Sequence, residues 1–138
     1  MPYAPASRSA GALLALAAAI FVAGFVYNRV SDRDRLRARA AAITGGDPAR
    51  GEAMFIQYGC GACHQAVHVR KAVGKVGPSL DGVAVRAMIA GKLANSPDNL
   101  RRWIRDPQAI TPGTDMPDLN VVDEDARDIT AFLYTRTG

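Results

Sequence analysis

The chain has 138 residues with Lys+Arg 17 against Asp+Glu 13, a formal net charge of +4. That length allows one compact domain with a further short segment. Apolar residues at 49% exclude a globally disordered chain, and two cysteines exclude a disulfide scaffold.

The charge is unevenly placed. Residues 1–46 carry six arginines against Asp32 and Asp34, whereas residues 47–138 carry 11 basic and 11 acidic side chains. The basic excess belongs to the N-terminal third. No nucleic-acid-binding module is visible, so a nucleic-acid partner is not expected.

No charged residue falls between Arg8 and Arg29. As a helix rising ~1.5 Å per residue, residues 9–28 span about 30 Å, the thickness of a bilayer core. The stretch 10–27 has no proline, and Tyr27 suits the membrane interface. A cleaved signal peptide is the alternative. Residues 22–24 offer a cleavage site, but the apolar run continues to Val26. The reading adopted is an uncleaved single-pass anchor over 1–28. Its Ala- and Gly-rich faces allow close packing against other membrane subunits, with a lone anchor as the alternative. Residues 29–46 form an Arg/Ala-rich linker. Ser31 is expected to cap a short helix over 32–43, stopped by Gly45 and Gly46. Its arginines suit solvent or anionic lipid headgroups.

Residues 47–138 read as one domain of helices and loops. Asp47-Pro48 is a cap-plus-proline signal that opens a helix to about Tyr58. Residues 67–82, with Gly74, Gly77 and Pro78, read as loop. A short helix is expected over 85–90. Ser96-Pro97 repeats the cap signal before a helix over 98–105. Pro107, Pro112, Gly113 and Pro117 predict irregular chain over 106–120. A final helix is expected over 124–135, with Ile129, Phe132 and Leu133 on its apolar side. No alternating segment argues for a sheet, so the fold class is all-α.

Cys60-Gly61-Ala62-Cys63-His64 has the spacing of a covalent c-type haem attachment. Thiols three residues apart on one helical turn reach two vinyl groups on one porphyrin edge. The adjacent imidazole then projects towards the iron. Other uses of the cysteines fit less well. A dithiol redox pair usually follows a strand, and here a helix precedes it. A zinc site would crowd Cys60, Cys63, His64 and His68 into nine residues without finger spacing. A Cys60–Cys63 disulfide remains open before haem insertion.

The domain also contains Gly51 and Phe55 in G-x-x-x-F, V-G-P-S-L over 76–80, the run I-A-G-K-L-A-N-S-P-D-N-L-R-R-W-I-R-D-P-Q over 89–108, and P-G-T-D-M-P over 112–117. With C-G-A-C-H and the closing helix, these resemble a class I cytochrome c in the expected order over nearly the whole domain. The nearest resemblance is to the cytochrome domain fused to subunit II of caa-type haem–copper oxidases. The copper-binding domain of that subunit is missing here, so the fused arrangement is not carried over.

The resemblance implies a small helical domain around one covalent haem c. His64 is then the proximal iron ligand, its other ring nitrogen donating to the Pro78 carbonyl. Met116 is the distal ligand. Met54 on the first domain helix and Met88 on the expected short helix are read as core or pocket wall. His68 is read as a surface histidine near the pocket. Trp103 resembles the family tryptophan that donates to a haem propionate, with core packing as the plain alternative. Leu80 and Leu93 are pocket walls, and Gly51 lets the first and last domain helices cross beside Phe55 and Phe132.

His/Met ligation closes both axial positions, which favours one-electron transfer over oxygen chemistry. The expected function is a membrane-anchored monohaem electron carrier of a respiratory chain, not an enzyme. It would run from a quinol-oxidising complex to a haem–copper oxidase, as fixed subunit or tethered shuttle. A haem enzyme or gas or redox sensor with a labile Met116 bond is the alternative. Residues 70–105 hold eight basic side chains against two acidic ones, and residues 106–138 hold seven acidic against two basic. The basic stretch suits docking to an acidic redox partner, or is solvated surface.

Five arginines soon after the apolar segment favour a cytoplasmic linker by the positive-inside rule. Haem c attachment in bacteria requires the domain outside. The second requirement is the stricter one and implies a bacterial inner membrane anchor with an extracytoplasmic haem domain.

Overall fold

The computed structural model describes residues 6–137, with side chains described from residue 10. Positions 1–5 of the expected anchor and residue 138 of the expected domain lie outside the described residues. The chain divides into two compact units, residues 1–35 and 36–138.

The apolar segment is helical, as expected, within α1 (Ala6–Thr44). Leu14 is 73% exposed and Phe21 75%. Such a surface is unfavourable in water and at home in lipid. The helix is long and apolar enough to cross a membrane. One expectation changes here. Ser31 lies inside α1 and caps no separate helix. No Gly or Pro stands between Tyr27 and Ala42. Extending a formed helix adds a hydrogen bond for each residue fixed, whereas stopping requires a costly new nucleus. The stop falls where expected. Gly45, at φ +69°, follows Thr44 and donates its N–H to the Ala41 carbonyl at 2.8 Å.

In the second unit, α2 (Pro48–Gln57) is capped by Asp47, whose carboxylate accepts from the Ala49 N–H at 2.8 Å. It packs across α5 (Asp123–Tyr134). The crossing is close because Gly51 has no side chain, and a Cβ there would overlap the Asp128 carbonyl. Beside it, the Phe55 and Phe132 rings are tilted with centroids 5.5 Å apart. α3 (Pro97–Arg105), capped by Ser96, adds Leu100, Trp103 and Ile104 to the same core. At the α2–α5 crossing, Arg50 bonds Asp128 and reaches Asp125 at 2.5 Å. The Tyr58 hydroxyl donates to the second Asp125 oxygen at 2.8 Å. The buried carboxylates are therefore partnered, as burial demands.

A helix expectation and a loop expectation change. Residues 85–90 are not a helix. Val83–Val85 is one 3-10 turn, and Met88–Ile89 (β1) pairs antiparallel with Leu93–Ala94 (β2). Ala90 and Gly91 both take positive φ, 49° and 67°, which reverses the chain tightly and stops a helix. The Asn95 amide then bonds the Val83 and Arg86 carbonyls at 2.8 Å each. Met88 is consequently on a strand and 46% exposed, not core. Residues 106–120 are irregular except for α4 (Pro107–Ile110), one turn capped by Asp106. Its proline stands at the first turn, where no N–H is needed.

Candidate functional site

α2 ends before the cysteine motif because Gly59 turns to φ +73°, a left-handed conformation that suits glycine. Cys60–Ala62 then forms one 3-10 turn. This tightens the helical turn expected there while keeping Cys60 and Cys63 one turn apart. Both cysteines are free thiols and partly buried. Burial pushes the Cys60 thiol up to about 11, and Cys63 adds to the shift.

The motif is clamped by the loop that follows. The Gly74 N–H donates to the Gly61 carbonyl at 3.1 Å, and the Gly77 N–H to the Cys63 carbonyl at 2.9 Å. A Cβ at Gly77 would stand 2.6 Å from His64 Nδ1, so glycine is required for this approach. His64 Nδ1 lies 2.8 Å from the Pro78 carbonyl oxygen. A carbonyl only accepts, so Nδ1 carries a proton and donates, which leaves Nε2 as the nitrogen that could bind iron.

The chain beyond Pro78 is held by charge. Asp81 accepts from the Val67 N–H at 3.1 Å, from the Ser79 hydroxyl at 3.2 Å, and from Arg136. Partial burial raises the Asp81 carboxyl, but the bonds from Arg136, Val67 and Ser79 outweigh it and hold the group below its usual value. Arg86 donates to the carbonyls of Ser79 at 2.5 Å and Asp81 at 3.0 Å. His68 is exposed, at φ +65°, and lines a separate cavity of about 250 Å³ with Val67, Asp81, Thr135 and Arg136.

Met116, Leu80, Leu93, Cys60 and Met54 are partly buried and pack against the cluster that contains the buried Trp103. The structure thus brings His64 to Pro78 and gathers Cys60, Leu80, Leu93 and Met116 on one core. The loop carrying Met116 is held by Gln108, whose amide bonds the carbonyls of Thr114 and Met116. Sequence reasoning gave no role to Gln108, Asp81 or Arg86. Gln108 ends the run that carries the resemblance, but nothing along the chain says what its amide bonds, and the two ionic residues acquire their roles only from what the fold sets beside them.

The donor set fits a covalently bound haem. Two unpaired thiols stand beside an imidazole whose free nitrogen is a good iron donor, and a thioether is available on a second loop. A helical domain with such a site is a c-type haem protein. Residues 48–137 match the family model described as cytochrome c, and the chain belongs to the cytochrome c family. The family's covalent haem c accounts for Cys60 and Cys63, and its role is that of an electron carrier.

Cytochrome c oxidase subunit 2 of Alkalihalophilus pseudofirmus is 34% identical over 85 residues, covering 61% of this chain and 24% of the relative. The subunit 2 of Bacillus sp. (strain PS3) is 33% identical over 81 residues, covering 57% and 22%. Cytochrome c2 of Rhodopila globiformis is 37% identical over 103 residues, covering 65% of this chain and 93% of that protein. The chain therefore spans about a quarter of the oxidase subunits and nearly all of the cytochrome c2. No solved structure matches it at comparable significance.

Proposed function

We propose that this protein is a membrane-anchored monohaem cytochrome c that carries single electrons from a quinol-oxidising complex to a haem–copper oxidase. The observation that carries the reading is the hydrogen bond from His64 Nδ1 to the Pro78 carbonyl, which fixes the imidazole that follows Cys60 and Cys63 and leaves Nε2 for iron. Residues 1–28 anchor the chain, 29–46 link, and 47–138 carry the electron. Haem supplies the one-electron couple of its iron.

The chain does the rest. Cys60 and Cys63 hold the porphyrin through thioether bonds. His64 and Met116 would supply the iron ligands, and the Pro78 carbonyl fixes the imidazole. Leu80 and Leu93 would help keep water from the haem, and the Trp103 indole would donate to a propionate. An imidazole fixed this way and a thioether on a braced loop would keep the ligand set the same in both oxidation states, which suits electron transfer.

The apolar length of α1 supports the anchor. The need to attach haem c outside the cytoplasm supports an extracytoplasmic domain on a bacterial inner membrane. The matches to oxidase subunits support an oxidase as acceptor. Exposed Lys71, Lys75, Val73 and Val76 form a basic and apolar surface next to the motif, suited to an acidic redox partner.

The test is spectroscopic. Ferric protein should show the weak near-infrared charge-transfer band of Met-ligated haem, and Met116→Leu should abolish it. A resting high-spin spectrum in the unmutated protein would overturn the carrier reading in favour of a haem enzyme or sensor. Comigration with oxidase subunits in mild detergent tests the partner.

A further inference from the structure

Gln108 makes three hydrogen bonds to one short loop. Its Nε2 donates to the Thr114 carbonyl at 2.8 Å and to the Met116 carbonyl at 2.9 Å. Its Oε1 accepts from the Gly113 N–H at 3.0 Å. The assignment of oxygen and nitrogen is forced. Two carbonyls need donors and one N–H needs an acceptor, so the reversed amide would oppose oxygen to oxygen twice.

The base of this clamp is rigid. Pro107 is among the largest fully buried side chains. Asp106 Oδ1 caps α4 by accepting from the Ala109 N–H at 2.8 Å. The Thr111 N–H returns to the Pro107 carbonyl at 2.9 Å, so α4 and the start of the loop form one piece. By contrast, the loop beyond it has few anchors of its own. Pro112 and Pro117 have no N–H to give, Gly113 is at φ +82°, and Asp115 and Pro117 are exposed. One main-chain bond closes the turn, from the Thr114 N–H to the Thr111 carbonyl at 3.1 Å, and the bond to the main chain of Met116 itself comes from Gln108.

We infer that Gln108 is the positioning residue for Met116: its amide fixes the backbone from which the sulfur reaches iron. This rests on the reading of Met116 as the distal ligand. Losing two donors from one loop frees Met116 to swing away, and exogenous ligands then compete for the vacated position. The proposal concerns how firmly the sulfur is held and leaves haem attachment untouched, since Gln108 contacts neither cysteine.

The test uses ferric holoprotein of the full chain in detergent. Three quantities are read: the pH at which the near-infrared band is lost, the affinity for imidazole, and hydrogen exchange at the Gly113 amide. Gln108→Leu should move the band loss at least one pH unit lower and raise imidazole affinity about tenfold, since two such bonds together shift an equilibrium by roughly that factor. Gly113 exchange should quicken.

Gln108→Glu keeps the acceptor for Gly113 but sets a carboxylate against two carbonyls. It should leave Gly113 protected while weakening the sulfur bond, and the weakening should ease in acid, where the carboxyl can donate again. This variant also carries the test if Gln108→Leu fails to accumulate. Wild-type band stability and imidazole affinity in both variants, with Met116→Leu abolishing the band, would overturn the clamp and leave the ligand reading standing. A band that survives Met116→Leu would overturn the ligand reading and the clamp with it.

Discussion

Around His64, backbone packs on backbone. Gly61 sits against Ala72, Gly74 against Ala62 and Cys63, and Gly77 against the imidazole itself. Around Met116 the contacts are of another kind. A Cβ on Gly113 would meet no atom, and one glutamine side chain supplies three of the bonds that hold the loop, beside the Thr114 N–H to the Thr111 carbonyl at 3.1 Å. The first region cannot yield without moving main chain. The second can yield by turning one side chain. The difference teaches where each ligand's precision comes from. The imidazole is set by main chain up to 14 positions away, whereas the backbone of the thioether is set by one side chain 8 positions away.

The largest effect expected is at the cysteines. Cys60→Ala with Cys63→Ala should abolish covalent haem, read as loss of pyridine-haemochrome colour in the protein after acid–acetone extraction. Retained colour would break the account of the His64 region at its root.

Paired glycine substitutions test the contrast directly. Gly77→Ala forces a Cβ into the imidazole and should cost about 3 kcal/mol in denaturant unfolding, with the His64–Pro78 bond lost. Gly113→Ala meets no atom and pays only for its φ of +82°, about 1 kcal/mol. Equal costs would remove the distinction between the two regions.

The smallest effect concerns Asp81. Its folded carboxyl is held below the ordinary value near ~3.9, so its stabilisation is complete above that pH and is lost as pH falls through the lower folded value. Asp81→Asn should therefore lower stability at neutral pH, and the gap to the unmutated protein should close in strong acid. A gap that is constant with pH would show that the Arg136–Asp81 pair does not brace the His64 side.

Much of this was legible beforehand for a physical reason. Asp47-Pro48 and Ser96-Pro97 are local devices, because a cap acts within three residues of itself, and both helices begin where they read. Gly51 beside Phe55 and Phe132 signalled a close crossing because only a missing side chain permits one. Residues 85–90 misled because their apolar spacing also suits a helix. The reversal at Ala90 and Gly91 requires positive φ at an alanine, and alanine does not advertise that. Ser31 misled because capping residues are common within helices when nothing forces the chain to stop.

The +4 of the whole chain illustrates the division. Sequence alone determined that the excess belongs to the segment around an apolar helix, that two thiols and an imidazole stand at haem spacing, and that the remaining domain is neutral. These are properties of neighbours along the chain. Tertiary structure alone decided that Gln108 braces Met116, that Asp81 takes Arg136 as its partner, and that Arg50 neutralises Asp125 and Asp128. Each of these last pairings joins a polar group to one that only folding brings within hydrogen-bond reach, and no pattern of neighbouring residues encodes which partner that will be.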